Sequence, residues 1–421
     1  MANTILLRDF LYQDVMEKKK RQTVISQVAN RDYEGTLKRQ GQTVTVPITP
    51  RIRGNVVAGG SGAAARSGAG EVIGLQDLSV ASADITVTEV YNSGVKVKDI
   101  EKVQTNFSLM DEISTAFSES SALNEDLYVA SFFKDAAPQN KANDKSPTTL
   151  TTSNTYEQAS EIRKLLKKSN AYGNQICFIN PEIEDFMLRE GIMNSSDAGL
   201  KIRLNGEVGR AAGMRMVVTN NLPRVNLLTV AANPSNSDTI TVVGLLPDST
   251  NTTTYGKYAA NSVVFTLVTA GTASSAGDIS LGATAADTQA NIVAAINGTG
   301  TPGASTYIDI SADDRKSLRN AMVSIDSFAS NTANLRSSGD YFGNALAHAV
   351  SFSSGSNTLG SSAVLMTAID GMCINLVNQF DKFKIEDQTG GMFDNILTEK
   401  VYGGAVLGEN SFGIATAEVI V

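Results

Sequence analysis

A chain of 421 residues, 42% hydrophobic and 19% charged, can bury two or three cores and is not disordered as a whole. Its net charge of −8 and pI near 5.0 exclude the basic excess of a free nucleic-acid binder, though not a protein that encloses nucleic acid. With one histidine and two distant cysteines in the whole chain, a multi-histidine metal centre and a zinc finger are excluded as well.

Residues 1–30 read as one or two short amphipathic helices, with Leu6, Leu7, Phe10, Leu11 and Val15 at helical spacing. The basic run Lys18, Lys19, Lys20 and Arg21 follows. It reads either as a solvated face or as an arm that docks on an acidic neighbour. The opening segment lacks the charge-then-apolar order of a signal peptide, and no apolar run approaches the roughly 20 residues needed to cross a bilayer. The expectation is a soluble chain that is not exported by the general route.

"QTVTVPIT", residues 42–49, alternates as a strand, and Pro47 marks an edge position. "ADITVTEVYNSGVKVKDIE", residues 83–101, reads as one long alternating strand broken at Gly94. The two flank a glycine-rich stretch, residues 54–71, like the legs of a long hairpin. Residues 108–134 predict a helix of roughly 40 Å, with Met110, Ile113, Phe117, Leu123, Leu127, Ala130 and either Phe133 or Phe132 as its apolar stripe. A polar loop, "DAAPQNKANDKSPTTLTTSNT", leads to a helix at "TYEQASEIRKLLKKSNAY" that turns Ala159, Ile162, Leu165 and Leu166 inward. "QICFINP" is a buried strand, Pro181 opens the next helix, and a hairpin ends in a strand at Met214 to Thr219.

Composition shifts at Pro223. From 224 to 362 Gly, Ser, Thr, Ala and Asn dominate, with strands at "LLTVAA", "DTITVVGLL" and "SVVFTLVTAG" and one helix, Ala286 to Gly298. This block reads as a self-contained α+β insertion. "AVLMTAIDGMCINLVNQFDKFKIED" reads as a core strand and a partner, "MFDNILTEK" as a short helix, and "YGGAVLG" and "GIATAEVIV" as closing strands.

Chemistry-bearing patterns are sparse. Gly60-Ser-Gly62-Ala-Ala-Ala65 fits a dinucleotide fingerprint, but two further glycines interrupt the helix that the fingerprint requires, and no βαβ unit encloses it. His348 stands alone and reads as structural or surface. Cys177 and Cys373 sit in apolar runs and read as buried small hydrophobes in a reducing compartment, with a disulfide between them as the alternative. The carboxylate groups Asp111-Glu112, Glu182 with Glu184-Asp185, and Asp313-Asp314 lie at helix starts or turns, where the helix dipole explains them. The expectation is no enzyme, no cofactor and no metal. Arg51, Arg53 and Arg66 lie on or beside the hairpin tip, serving either solubility or a salt bridge to a neighbouring subunit. A long hairpin cannot bury its own surface, so a neighbour that completes the fold makes sense of it.

The order of these elements resembles the major capsid protein of tailed bacteriophages, the Hong Kong 97 type fold. "GQTVTVPITPRIRG" resembles the strand entering its extended loop, the E-loop, and "ITVTEVYNSGVKVKDIEKVQTNFSLMDEISTAFSESSALNEDLYVASF" its returning strand and spine helix. "GRAAGMRMVVTNNLP" is similar to a phrase of the axial domain, and "DKFKIEDQTGGMFDNILTEKVYGGAVLGENSFGIATAEV" to the closing segment. The resemblance covers residues 1–223 and 363–421. It implies an α+β fold with an N-terminal arm (1–40), an E-loop (41–90), a peripheral domain (91–150 and 385–421) whose spine helix spans 108–134, and an axial domain (151–223 and 363–384). Residues 224–362 depart from the pattern as an insertion domain.

The implied function is self-assembly as hexamers and pentamers into an icosahedral head around double-stranded DNA, without sequence-specific DNA binding and without a membrane. Scaffolding, portal, and decoration or cement proteins are the further partners implied. The implied place is the virion shell, assembled in the host cytoplasm. Contact candidates between subunits are Arg51, Arg53, Arg66, Glu71, Lys18, Lys19, Lys20 and Arg21. A tail-tube, sheath or surface-layer subunit is the alternative.

Overall fold

A computed structural model describes residues 23–33, 43–48, 81–87, 89–98, 109–190, 209–247, 258–338, 346–371, 373–387 and 393–421. The expected N-terminal helices around Leu6 to Val15 and the 54–71 glycine stretch lie outside these residues. The hairpin legs are present. β1 (Thr43–Ile48) pairs antiparallel with β2 (Ala81–Thr86), from Thr43 opposite Thr86 to Ile48 opposite Ala81. Pro47 sits in β1, whose one described partner is β2, consistent with the edge position its missing N–H demands.

The long strand expected over 83–101 is two strands in two sheets. β2 ends at Thr86, and β3 (Glu89–Lys98) joins a different, three-stranded sheet. Gly94 does not break β3. It lies opposite Leu397, and a Cβ there would come within 2.7 Å of the Leu397 side chain. The glycine makes room for that side chain across the ladder.

α1 (Leu109–Ser131) is the long helix, followed by a 3₁₀ turn over Phe132–Asp135. Its 23 residues span about 35 Å at 1.5 Å each. The expected polar loop after it carries two short strands, β4 (Lys141–Ala142) and β5 (Thr148–Thr149). α2 (Thr155–Lys168) buries Ala159, Ile162 and Leu166, while Leu165 is half-buried against the same core. β6 (Gln175–Ile179) leads into α3 (Pro181–Arg189), where Pro181 opens the helix and the Asn180 side chain accepts from the Ile183 N–H at 2.8 Å. β7 (Arg210–Ala211) and β8 (Met214–Val218) form the expected hairpin.

The next block holds β9 (Arg224–Val230), β10 (Thr239–Pro247), β11 (Tyr258–Val268), β12 (Asp278–Ser280), α4 (Ala285–Asn297), α5 (Ala312–Asn320), β13 (Ser324–Ile325), β14 (Thr332–Ser337) and β15 (Ala349–Ser351). α4 is closed by a Thr284–Asp287 capping box and by Gly298 at φ +65°. α5 has no sequence forecast because it lacks an apolar stripe: of its nine residues only Ser317 and Leu318 are buried. Its start is nonetheless marked by Ser311, which accepts from the Asp314 N–H.

The chain closes with β16 (Asn357–Asp370), β17 (Ile374–Asp387), β18 (Phe393–Val406) and β19 (Ile414–Ile420). The short helix expected at "MFDNILTEK" is the first part of β18. Both edges of β18 are occupied, by β17 and by β3. Ladder pairing on two sides, with Phe393, Ile396 and Thr398 in the segment and Val401 and Tyr402 just after it, overrides its local helical preference.

β16 organises the ten-stranded sheet. Its first half pairs with β9, its second half with β6, and β19 lies along the opposite edge. Val364 to Ile369 are buried throughout, as a strand covered on both faces requires. Two large apolar clusters result. One joins α1, α2, β6, β8, β16 and β19 through residues such as Phe133, Phe178, Leu166 and Met366. The other lies wholly within residues 228–359, around Val242, Phe265, Ile292 and Leu335. The second block therefore has its own core, yet β9, β14 and β16 carry one sheet across both clusters.

Glu418 of β19 sits at that junction, buried. Its Oε1 accepts from Asn334 of β14 at 2.7 Å and its Oε2 from the Lys145 N–H at 3.1 Å. Burial, with Asp144 nearby, pushes its carboxyl up to about 7 against the attraction of Arg336 and Lys141. An acid whose folded pKa is raised takes up its proton more readily when folded. The stability it lends is complete below about 4.5 and is lost as pH rises toward about 7, by roughly 3 kcal/mol at most. Chemical denaturation of the subunit at pH 5 and pH 8 is expected to show a smaller loss in Glu418→Gln than in the parent. Equal losses would exclude this carboxyl as a source of the pH dependence.

Candidate functional site

The hairpin base, the middle of α1 and the three-stranded sheet meet at one place. On β18 the residues Ile396, Thr398, Lys400 and Tyr402 share a parity, and Ile396, Lys400 and Tyr402 are buried. Lys400 donates to Glu125 of α1, and Tyr402 donates to Asn124. Arg31, from the segment 23–33, pairs with the same Glu125. One carboxylate with no solvent exposure is thus held between a buried ammonium and a half-exposed guanidinium.

The next residue, Asp126, accepts from the Val24 N–H and the Ser26 N–H, both at 2.9 Å. Burial raises its pKa, and these backbone donors oppose the rise. Tyr91 of β3 bonds Ser120 of α1, and Tyr128 meets Phe132 and Tyr402 edge to face, with ring centroids 5.0 and 4.6 Å apart. α1 is therefore tied to the N-terminal segment, to β3 and to β18.

Two glycines let these pieces approach. A Cβ on Gly403 would lie 2.4 Å from the Thr86 carbonyl oxygen and 2.8 Å from Val87 Cα, and one on Gly404 would lie 2.9 Å from the Phe132 ring. β18 thus touches the end of β2 and the 3₁₀ turn that follows α1 in successive residues. Val46, Ile85 and Val87 complete the seam against Val377, Val401 and Leu407.

The eight contact candidates, Lys18, Lys19, Lys20, Arg21, Arg51, Arg53, Arg66 and Glu71, all lie outside the described residues. Four of them belong to the connection 49–80 between the paired ends Ile48 and Ala81. The Glu125 cluster had no forecast. Its signal in the sequence is that "NEDLYVA" places two adjacent acids directly before Leu127, on a helix where residues 125–130 are all buried.

The residues searched for chemistry take structural places. His348 accepts the Val243 N–H on Nδ1 at 3.1 Å, and burial lowers its pKa to about 4, so the ring is neutral near pH 7. Cys177 and Cys373 are free and buried, which pushes their thiols up to about 12 and about 11. They are therefore poor nucleophiles. Glu182 and Glu184 lie in the first turn of α3, and Asp313 and Asp314 in that of α5. Among the described residues no three His, Cys, Asp or Glu side chains gather to hold a metal ion, and no helix is long and apolar enough to cross a membrane.

Residues 82–257, from β2 to the edge of β11, match the family model described as phage capsid protein. No curated protein matches the chain in sequence. Solved structures similar to it include one from Mycobacterium phage Che8, at 14% identity and a TM-score of 0.46, with 94% of this chain and 91% of that one covered. The capsid of cyanophage P-SCSP1u is similar at 11% identity and a TM-score of 0.45, covering 91% and 85%. The mature capsid of bacteriophage PhiM1 is similar at 10% identity and a TM-score of 0.45, covering 93% and 87%.

Removing one partner of a buried ion pair leaves the other charge without compensation, at about 3–5 kcal/mol. Arg31 still faces Glu125 in Lys400→Met, so that variant is expected to destabilise the subunit by less than that figure, by about 1–3 kcal/mol, and Glu125→Gln/Lys400→Met to recover part of the loss. Urea unfolding of the two variants checks this, and a harmless Lys400→Met would remove the pair from any structural role.

Proposed function

We propose that this chain, a phage capsid protein by the family match over residues 82–257, is the major coat subunit of a tailed-phage head. The observation that carries the reading, beside that match, is the sequence of hairpin base, three-stranded sheet and long helix locked together at Glu125. A paired hairpin whose connection spans residues 49–80 needs a surface beyond its own core. A second subunit supplies one.

In this reading many copies close into a shell as hexamers and pentamers, because repeated heterologous contacts at suitable angles close on themselves. The connection 49–80 lies over an adjacent subunit, with Arg51, Arg53, Arg66 and Glu71 as its polar contacts, and Lys18 to Arg21 reach another neighbour. Residues 1–40 act as the arm and 41–90 as the E-loop. The peripheral domain takes 91–150 and 385–421, the axial domain 151–223 and 363–384, and 224–362 forms an added domain. The separate apolar cluster within 228–359 supports that last division, and the strands shared through β16 tie it to the axial sheet.

The shell encloses double-stranded DNA without gripping it, which suits a net charge of −8. Scaffolding, portal and cement proteins are the partners such a shell would engage, and assembly takes place in the host cytoplasm. The subunit does structural work and no catalysis.

Electron microscopy of the expressed full chain tests the reading. Closed shells or ring-shaped capsomers are expected, and tubes or flat lattices would overturn it in favour of a tail or surface-layer subunit. Shortening the connection between Gly59 and Gly70 is expected to abolish assembly while circular dichroism and the thermal melt of the subunit stay unchanged. Normal shells from the shortened chain would remove the tip from the assembly contact.

A further inference from the structure

Away from the Glu125 cluster, α2, the turn before β6 and the β7–β8 hairpin enclose an open cleft of about 260 Å³. Its walls carry Arg163 and Lys167 of α2, Arg210 of β7 and Arg215 of β8, with Tyr172 at its margin. Four cations converge here in a chain whose net charge is −8.

None of the four makes an ion pair with a described carboxylate. Lys167 has a local reason to be present, since it lies in the last turn of α2 and complements the dipole there. The three arginines have none. Arg210 and Arg215 stand directly opposite each other in the β7–β8 register, an arrangement that costs stability when the charges are alike. Arg163 reaches under the hairpin turn, and its Nε is buried with no hydrogen-bond partner.

The hairpin is shaped to admit it. Ala212 and Gly213 both have positive φ, +47° and +75°, the two-residue turn that matches strand twist. A Cβ on Gly213 would lie 2.7 Å from the Arg163 guanidinium. Tyr172 is 71% exposed beside this cluster, an aromatic face left in water. Asp370 abuts Gly173 behind the turn and makes no ion pair with these cations.

We propose that this cleft binds a small polyphosphate anion, with the Tyr172 ring stacking on the base when the anion is a nucleoside triphosphate. Guanidinium forks match phosphate oxygens in pairs, and three of the four cations are arginines. A bound phosphate relieves the Arg210–Arg215 repulsion. An exposed aromatic ring beside arginines is how a base is held without sequence preference. The described lining residues all belong to one subunit, so the proposal is argued without the coat reading.

Titration calorimetry of the full-length subunit with inorganic tripolyphosphate and with ATP, each at low and high salt, tests it. Saturable one-to-one binding that weakens with salt is expected. Arg210→Ser/Arg215→Ser, both on the surface, is expected to weaken both anions by at least about tenfold while the thermal melt shows the fold retained. Tyr172→Ala is expected to weaken ATP but leave tripolyphosphate unchanged; equal effects on the two would remove the stacking role. Absence of saturable binding, or binding indifferent to the double variant, overturns the site. Binding of long single-stranded DNA with neither small anion bound also overturns it, and assigns the cleft to nucleic acid instead.

Discussion

The carboxylate of Glu125 is the constraint on which the middle of this molecule depends. It has no exposure, and it is compensated by Lys400, 275 positions later, and Arg31, 94 positions earlier. A buried carboxylate is costly until its partners are placed. The helix, the central strand of the three-stranded sheet and the N-terminal segment are therefore favourable only together. Asp126 extends the same logic to backbone, since its two donors belong to residues 24 and 26.

From that point the direction of the hairpin follows. β18 is fixed by Lys400 and Tyr402, and β3 pairs with β18 over ten residues. β2 ends against Gly403, so the hairpin base leaves the body where β18 permits it. The hairpin base is held to the body by the apolar seam of Val46, Ile85 and Val87 against Val377, Val401 and Leu407.

The hairpin legs, the long helix, α2, β6 and the Pro181 start of α3 were legible because alternation, apolar stripe and cap residues agreed on each. The break between β2 and β3 was not, since both segments alternate and only the partner strand decides which sheet each joins. The segment "MFDNILTEK" reads locally as helix, and its described residues, 393–400, are strand because both edges are occupied. α5 hid for the opposite reason, burying only Ser317 and Leu318. The Glu125 cluster is assembled from three distant segments, and residue spacing carries no trace of such a meeting. The cationic cleft is similar: Arg163 and Arg210 become neighbours only through the turn at Gly213.

The relation between the two apolar clusters follows from β16. A block with its own core joined by a loop could swing freely. Here the first half of β16 pairs with β9 and its second half with β6, so one strand belongs to both bodies. Bending between them would break ladder bonds or expose Val364 to Ile369. Glu418 and Asn334 add a buried polar tie across the same junction. The block with the second core is thus continuous with the sheet that supports it. β19, on the other edge of β16, extends the same sheet to β4 and β5.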